Sequence, residues 1–283
     1  WEVECMTVNK VCGSGLKAVV LGAQAIMLGD EDVVVAGGME SMSNAPYILR
    51  QARTGYRLGD GTLVDTMIYD GLWDAFNDVH MGNTGEITAE RCKVSREEMD
   101  EYAFMSHRKA AEATREGRFK DEILPIEIPQ RKGAPLVVDT DEGIRSDSSP
   151  EGMAKLKPVF KKDGVVTAGN ASQISDGAAA MVLMSDERAN ELGVEPLARI
   201  TGYATGGIEP ELVMLAPTVA VPKLAANTAA RSGAAHAGML RPKITPSAAA
   251  SGTSPTSGTR SASAPSPTIA ASRFTSASAM AAR

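Results

Sequence analysis

The run Val8-Asn9-Lys10-Val11-Cys12-Gly13-Ser14-Gly15-Leu16-Lys17-Ala18 decides how the chain is read. It sets a thiol at the mouth of a helix that begins among glycines. Leu16 to Leu28 is a stretch of good helix formers without proline, closed by Gly29-Asp30 as a stop signal. Its only charged side chain is Lys17, and a helix apolar nearly all round is expected to be buried in the middle of a domain. Unpaired amides and the positive end of the helix dipole would then surround Cys12. Both favour the thiolate, the form that attacks carbonyl carbon. A Cys-Gly pair also occurs as an inert, buried thiol beside a tight turn, because free cysteine behaves as a small hydrophobe.

A second reading competes for the same residues. Gly13-x-Gly15-x-x-Ala18, after the short strand expected over Val3 to Val8, matches the form G-x-G-x-x-G/A of a dinucleotide-binding turn. In that fold the acidic residue that holds the ribose ends the second strand. Here Asp30-Glu31-Asp32 precede the apolar strand Val33 to Ala36, so the acid is on the wrong side. The stretch leaving that strand, Ala36-Gly37-Gly38-Met39-Glu40-Ser41-Met42-Ser43, reads as a close-packed turn near a site.

Four segments in order carry a resemblance. They are Asn9 to Gly15, Ala36 to Ser43, His80-Met81-Gly82, and Thr167-Ala168-Gly169-Asn170-Ala171-Ser172. Together they resemble the thiolase family, most closely its acetyl-CoA acetyltransferases, over roughly residues 1 to 228. The resemblance implies an α/β, layered αβαβα fold with an inserted loop domain. It also implies condensation of two acetyl-CoA molecules to acetoacetyl-CoA and CoA, or thiolysis in reverse, through an acyl-cysteine at Cys12. A coenzyme A thioester is then the substrate and no separate cofactor is expected. The alternative is a non-catalytic CoA- or lipid-binding protein of the same fold.

The resemblance further implies which residues bind the substrate. Arg145, in Asp141-Glu142-Gly143-Ile144-Arg145, matches an arginine lying against the adenine, and a guanidinium plane stacks well on an aromatic base. Ser172 matches a serine that hydrogen-bonds the pantetheine arm, with small Ala168 and Ala171 letting that arm pass. His80 and Met81 match the pair lining the tunnel near the thioester, with Leu72 as a tunnel wall and Phe160 and Met214 as pocket residues. Without the resemblance Arg145 reads as a solvated charge, Gly169 to Ser172 as a turn, and His80, Phe160 and Met214 as ordinary core. The chain departs from the family pattern at Asn83-Thr84-Gly85-Glu86. The family's Gly-His-Pro, Asn-Glu-Ala-Phe and C-terminal Cys-x-Gly segments are not found in the 283 residues, so condensation is expected to fail.

Composition sets off the end of the chain. Up to Pro222 there are 22 basic and 35 acidic residues, a balance of −13, ordinary for an acidic enzyme. From Lys223 on there are seven basic and no acidic residues, amid Ala, Ser, Thr and Pro. Such a stretch cannot bury enough apolar surface to offset its conformational entropy and is expected to be disordered. A basic tail, a linker and a shifted reading frame in a GC-rich gene would each produce it. The break inside Lys223 to Thr228 favours the shifted frame. The expected organisation is then a core part of the first half (1–42), a loop domain covering coenzyme A (43–173), a closing part (174–196), the start of a second half (197–228), and a tail (229–283). An opening strand-helix-strand portion is expected to precede Trp1.

Smaller elements follow from local signals. Ser95-Arg96-Glu97-Glu98 reads as a capping box starting a helix through His107 to about Thr114, stopped near Gly117, with Met99, Tyr102, Ala103 and Ser106 inward. Leu124 to Ile128 and Leu136 to Val138 are short strand candidates. A helix start is expected at Asp176-Gly177-Ala178, and strands at Met181 to Met184 and Leu197 to Tyr203. His107 reads as a surface residue.

Three cysteines form no paired framework and suit a reducing, cytoplasmic setting. The histidines and cysteines never approach a metal-ligand spacing. No apolar run is read as long enough to span a membrane, and the basic tail lacks the arginine clusters of a nucleic-acid binder. The expected partners are acetyl-CoA or acetoacetyl-CoA, with neither nucleic acid nor membrane, in a homo-oligomer.

Overall fold

The computed structural model describes residues 2–232 and 267–270. In chain order the elements are α1 (Ser14–Leu28), β1 (Val33–Ser41), β2 (Tyr47–Leu49), β3 (Leu63–Asp65), β4 (Trp73–Asp74), β5 (Val79–His80), α2 (Met81–Cys92), α3 (Arg96–Arg115), β6 (Ile126–Ile128), β7 (Leu136–Val138), α4 (Pro150–Ala154), β8 (Asp176–Ser185), α5 (Asp186–Leu192), β9 (Pro196–Arg199), α6 (Ala216–Ser232) and β10 (Pro267–Ala270). The chain divides into two compact units. Among the described residues the first comprises 2–38, 180–205, 221–232 and 267–270, and the second 39–179 and 206–220.

The first unit is built on a four-stranded sheet in the order β1-β8-β10-β9. α1 ends where glycine allows it. Gly29 at φ 77° turns left-handed, its N–H donates to Ile26 O, and that of Asp30 donates to Ala25 O at 3.0 Å. The core joins Ile26, Ala36 and Leu183, with Ala18, Val19, Val34, Met181 and Ile200 packed around them. Gly22 has no room for a side chain, because a Cβ there would lie 2.9 Å from both Leu183 and Val34. A second cluster, Met184 and Ala189 with Val182 and Val194, seats α5.

Several expectations for this unit are corrected. α1 is not buried all round: only Gly22, Ala23 and Ile26 are buried, while Leu16 is 74 % exposed, because a single side meets the sheet. Val11–Leu28 does reach the length and apolarity of a membrane span, contrary to the reading above. It packs on the sheet through Gly22 and Ile26. Val3 to Val8 forms no strand, having no partner strand among the described residues. Asp176 to Ala178 starts no helix but opens β8, and the strand expected to Tyr203 ends at Arg199. Within the segment expected to be disordered, α6 runs on to Ser232 and Pro267–Ala270 pairs with β8 and β9. The rest of that segment lies outside the described residues.

The second unit is rich in short pairings: β2 with β3, β4 with β5, and β6 with β7, all antiparallel. A π-helical turn over Met67–Gly71 leads into Leu72. α3 has the full capping box, with Ser95 N–H donating to Glu98 Oε2 at 2.8 Å and Glu98 N–H to Ser95 Oγ at 3.2 Å. Its inward face is corrected, since Tyr102 is 81 % exposed and Ser106 also faces out. Asp100 is buried in their stead, bonded by Arg96 Nε at 2.6 Å and by Asn170 Nδ2 at 2.8 Å. Asp176 accepts hydrogen bonds from the N–H and hydroxyl of Ser43 and from the Ser41 hydroxyl. These bonds, that of Ser43 first, hold its carboxyl below the usual range.

Candidate active site

Cys12 belongs to the first unit and the substrate-binding candidates to the second. Cys12 sits on a turn fastened from both sides. The Val11 N–H donates to Asn9 Oδ1 at 2.9 Å, the Lys10 N–H to Ser14 Oγ at 2.7 Å, and the Ser14 hydroxyl to Val11 O at 2.7 Å. Within that turn Val11 lies at φ 48°. A β-branched residue enters this region only under strain, which persists where surrounding bonds impose it. The outcome is an exposed thiol directly before Gly13, the N-cap of α1. The expectation that Cys12 is buried is thereby overturned. No side chain caps α1, and its Gly13 and Ser14 amides donate instead to Lys10 O at 3.0 Å and Val11 O at 3.2 Å. Gly38 on β1 passes close to the same helix start, where a Cβ would lie 3.5 Å from Gly15 Cα.

In the second unit the β4–β5 pairing sets Trp73 opposite His80, and the Met81 N–H donates to Leu72 O at 2.9 Å. The connecting turn is shaped by Asp74, whose carboxylate accepts from Asn77 Nδ2 and from the amides of Phe76 and Asn77. The bond from the Asn77 side chain leads in lowering its pKa. The His80 ring stacks on Phe160, with centroids 4.8 Å apart. Gly82 makes that stack possible, since a Cβ there would collide with the Phe160 ring. Leu72, His80, Met81 and Phe160 thus come together, all half-buried.

His80 has a defined protonation. Burial lowers its pKa, so the ring is neutral at pH 7. Nδ1 accepts the Gly82 N–H at 3.0 Å, which leaves the proton on Nε2 as the donor this wall can offer.

The remaining candidates lie on two loops. Asn170 Oδ1 accepts the Thr167 N–H at 2.8 Å and Thr167 Oγ1 that of Gly169 at 3.2 Å, forming a turn that leaves Ala168, Ala171 and Ser172 exposed. Arg145 is exposed, and its N–H donates to His107 Nδ1 at 3.1 Å. His107 is therefore half-buried and bonded, not a free surface residue. Gln173 Nε2 donates to Gly143 O at 2.6 Å, joining the Arg145 loop to the residue after Ser172. Met214 is exposed on a 3-10 turn, Pro210–Leu215, that packs on α2.

Sequence reasoning missed Glu86, Asp100, His107 and Gln173 as holders of these loops. The i,i+4 spacing of Arg96 and Asp100 was a visible signal. The others bond to residues distant in the chain.

Residues 1–187 match the family model described as "Thiolase, N-terminal domain". The chain is 58 % identical over 218 residues to an acetyl-CoA acetyltransferase of Pseudomonas aeruginosa, covering 77 % of this chain and 56 % of that protein. It is 51 % identical over 221 residues to a probable acetyl-CoA acyltransferase of Staphylococcus aureus, covering 78 % and 56 %. The structure of an acetyl-CoA acetyltransferase from Syntrophomonas wolfei superposes with a TM-score of 0.76 at 46 % identity, over 79 % of this chain and 56 % of that one. The chain spans a little over half the length of these relatives.

Proposed function

Since the chain belongs to the thiolase family, we propose that Cys12 takes the acetyl group from acetyl-CoA. The Cys12 thiolate attacks the thioester carbonyl and the bond from that carbon to the CoA sulfur breaks. CoA leaves as a thiolate that takes up a proton from solvent, and acetyl-cysteine remains. The observation that carries this reading is the exposed thiol on a strained, fastened turn at the uncapped start of α1. The positive end of the helix dipole suits the oxyanion that follows.

The second unit supplies side chains suited to the rest of the substrate. Leu72, Met81 and Phe160 give an apolar wall and His80 Nε2–H a donor for the pantetheine arm. Ala168 and Ala171 leave space along that arm, Ser172 offers a hydroxyl, Arg145 a plane for adenine, and Met214 an apolar contact.

For the protein we propose the reversible condensation of two acetyl-CoA molecules to acetoacetyl-CoA and CoA. That step needs a base for the α-proton and a donor for the enolate oxygen. The Gly-His-Pro, Asn-Glu-Ala-Phe and Cys-x-Gly segments that would supply them are not among these 283 residues, which by themselves stop at the acyl-cysteine. We propose self-association as well, supported by β1, which is an edge strand among the described residues and has Val35 exposed. A light-scattering mass equal to one chain would contradict it.

The test is to incubate the chain with acetyl-CoA, map adducts by mass spectrometry and assay product by chromatography. An acetyl group on Cys12, absent from Cys12→Ala, without acetoacetyl-CoA is the expected result. Acetoacetyl-CoA formation would refute the arrest at the acyl-cysteine. CoA binding without any adduct would replace this reading with the non-catalytic one.

A further inference from the structure

Asn83-Thr84-Gly85-Glu86, where the chain departs from the resembled pattern, has a defined task in the second unit. Residues 158–160 and 165–167 run antiparallel, with the Pro158–Thr167 bridge and the Val159 N–H donating to Val166 O at 3.1 Å. α2 grips both strands of this pair. Asn83 Nδ2 donates to Phe160 O at 3.3 Å. The Glu86 carboxylate, 7 % exposed, accepts the Val165 N–H at 2.9 and 3.0 Å and the Val166 N–H at 2.9 Å. Hydrogen bonds to an ionised acceptor are about twice as strong as neutral ones.

The surroundings are shaped to admit that carboxylate. A Cβ on Gly164 would collide with Glu86 Oε1, and one on Gly85 would lie 3.3 Å from the Val166 side chain. On the opposite side Asn170 Nδ2 donates to Val165 O at 3.0 Å and to Asp100 Oδ1 at 2.8 Å. Val165 is thus held at its amide by α2 and at its carbonyl by a side chain tied to α3. It lies two residues before the turn that presents Ala168, Ala171 and Ser172.

We infer that Glu86 is a positioning residue for the coenzyme A arm: it fixes the amides of Val165 and Val166 and so sets the register of the turn that carries Ser172. Glu86 touches no reacting atom. The inference rests on the proposal that this unit binds CoA. Removing the carboxylate frees the loop without breaking any hydrogen bond of the α2 backbone, so loop order and ligand affinity change while helix order does not.

The experiment uses the full chain and CoA itself, with affinity by calorimetry and amide exchange by mass spectrometry. The variants are Glu86→Gln, Glu86→Ala and, as a control for mere loss of stability, Ser185→Ala, which removes the α5 cap in the first unit. Glu86→Ala is expected to weaken CoA binding about tenfold or more and to speed exchange around residues 165–167. Glu86→Gln, which keeps one acceptor oxygen, should fall between it and wild type and carries the test if the alanine variant does not fold. Ser185→Ala should leave the CoA Kd unchanged. Unaltered Kd and exchange in the Glu86 variants would overturn the inference, as would equal weakening by Ser185→Ala. If wild type binds no CoA, the functional proposal fails and this inference with it, and the exchange data then separate that failure from a loop that Glu86 never held.

Discussion

The sheet unit and the loop-rich unit are held by different chemistry. The first buries Ala23, Ile26, Ala36, Leu183, Met184 and Ala189. The second buries few apolar side chains but also Asp74, Thr84, Glu86, Asp100 and Thr167, and every buried polar or charged residue among those described falls within it. Apolar packing is non-directional and stabilises a sheet whose shape the backbone already defines. Directional bonds from buried carboxylates and amides select one conformation of loops that propensity leaves undetermined. The proposed substrate contacts of the second unit depend on such loops, whereas Cys12 needs only a helix start and a tight turn.

The contrast can be broken most forcefully at its apolar end. Leu183→Ala, at a fully buried position, should cost about 4 kcal/mol in urea unfolding, with a loss under about 1 kcal/mol denying the first unit its packed core. Asp100→Ala leaves Arg96 and Asn170 without their shared acceptor and should cost about 3 kcal/mol. Asp100→Asn, which retains one acceptor, should cost less, and equal losses would show that charge adds nothing there. Gly82→Ala drives a methyl group into Phe160 and should cost about 2 kcal/mol, with the His80 ring displaced in a crystal structure. Ser95→Ala removes the α3 cap for about 1 kcal/mol.

The smallest effect is that of pH. His80 is depressed by burial, and Asp74 and Asp176 by their hydrogen bonds, so the folded state binds fewer protons than the unfolded one. The His80 contribution is complete above its ordinary value of 6.5 and is lost as pH falls from there through the depressed folded value. The two aspartates act lower, from 3.8 downward. The urea midpoint should therefore drop between pH 7 and pH 5.5, and His80→Gln should flatten that drop. A midpoint that rises on acidification would show that the ring is not desolvated.

What was legible in the sequence is what neighbours in the chain decide. Gly29 ends α1, the Ser95–Glu98 box starts α3, and β7 spans the three residues expected. Val3 to Val8 misled because strand propensity needs a partner strand. Asp176 to Ala178 misled because small residues also suit a strand tied at its first residue to Ser43. The inward face of α3 was misjudged because hydrophobicity placed Tyr102 inside, where the structure places Asp100. Asn170, the second partner of Asp100, and Val166, a partner of Glu86, lie 70 and 80 residues away, beyond any local pattern. The site shows the same division, with Cys12 and its turn readable from seven residues and the holders of the second unit's loops hidden in long-range bonds.

The most direct test of the account uses the chain's own controls. Cys5, Cys12 and Cys92 are all free and exposed, so access alone gives them similar rates with iodoacetamide at neutral pH. If the turn and helix start activate a nucleophile, site-resolved mass spectrometry will find Cys12 alkylated at least about tenfold faster than the other two. Equal rates at the three thiols would contradict the claim that the backbone around Cys12 makes it reactive.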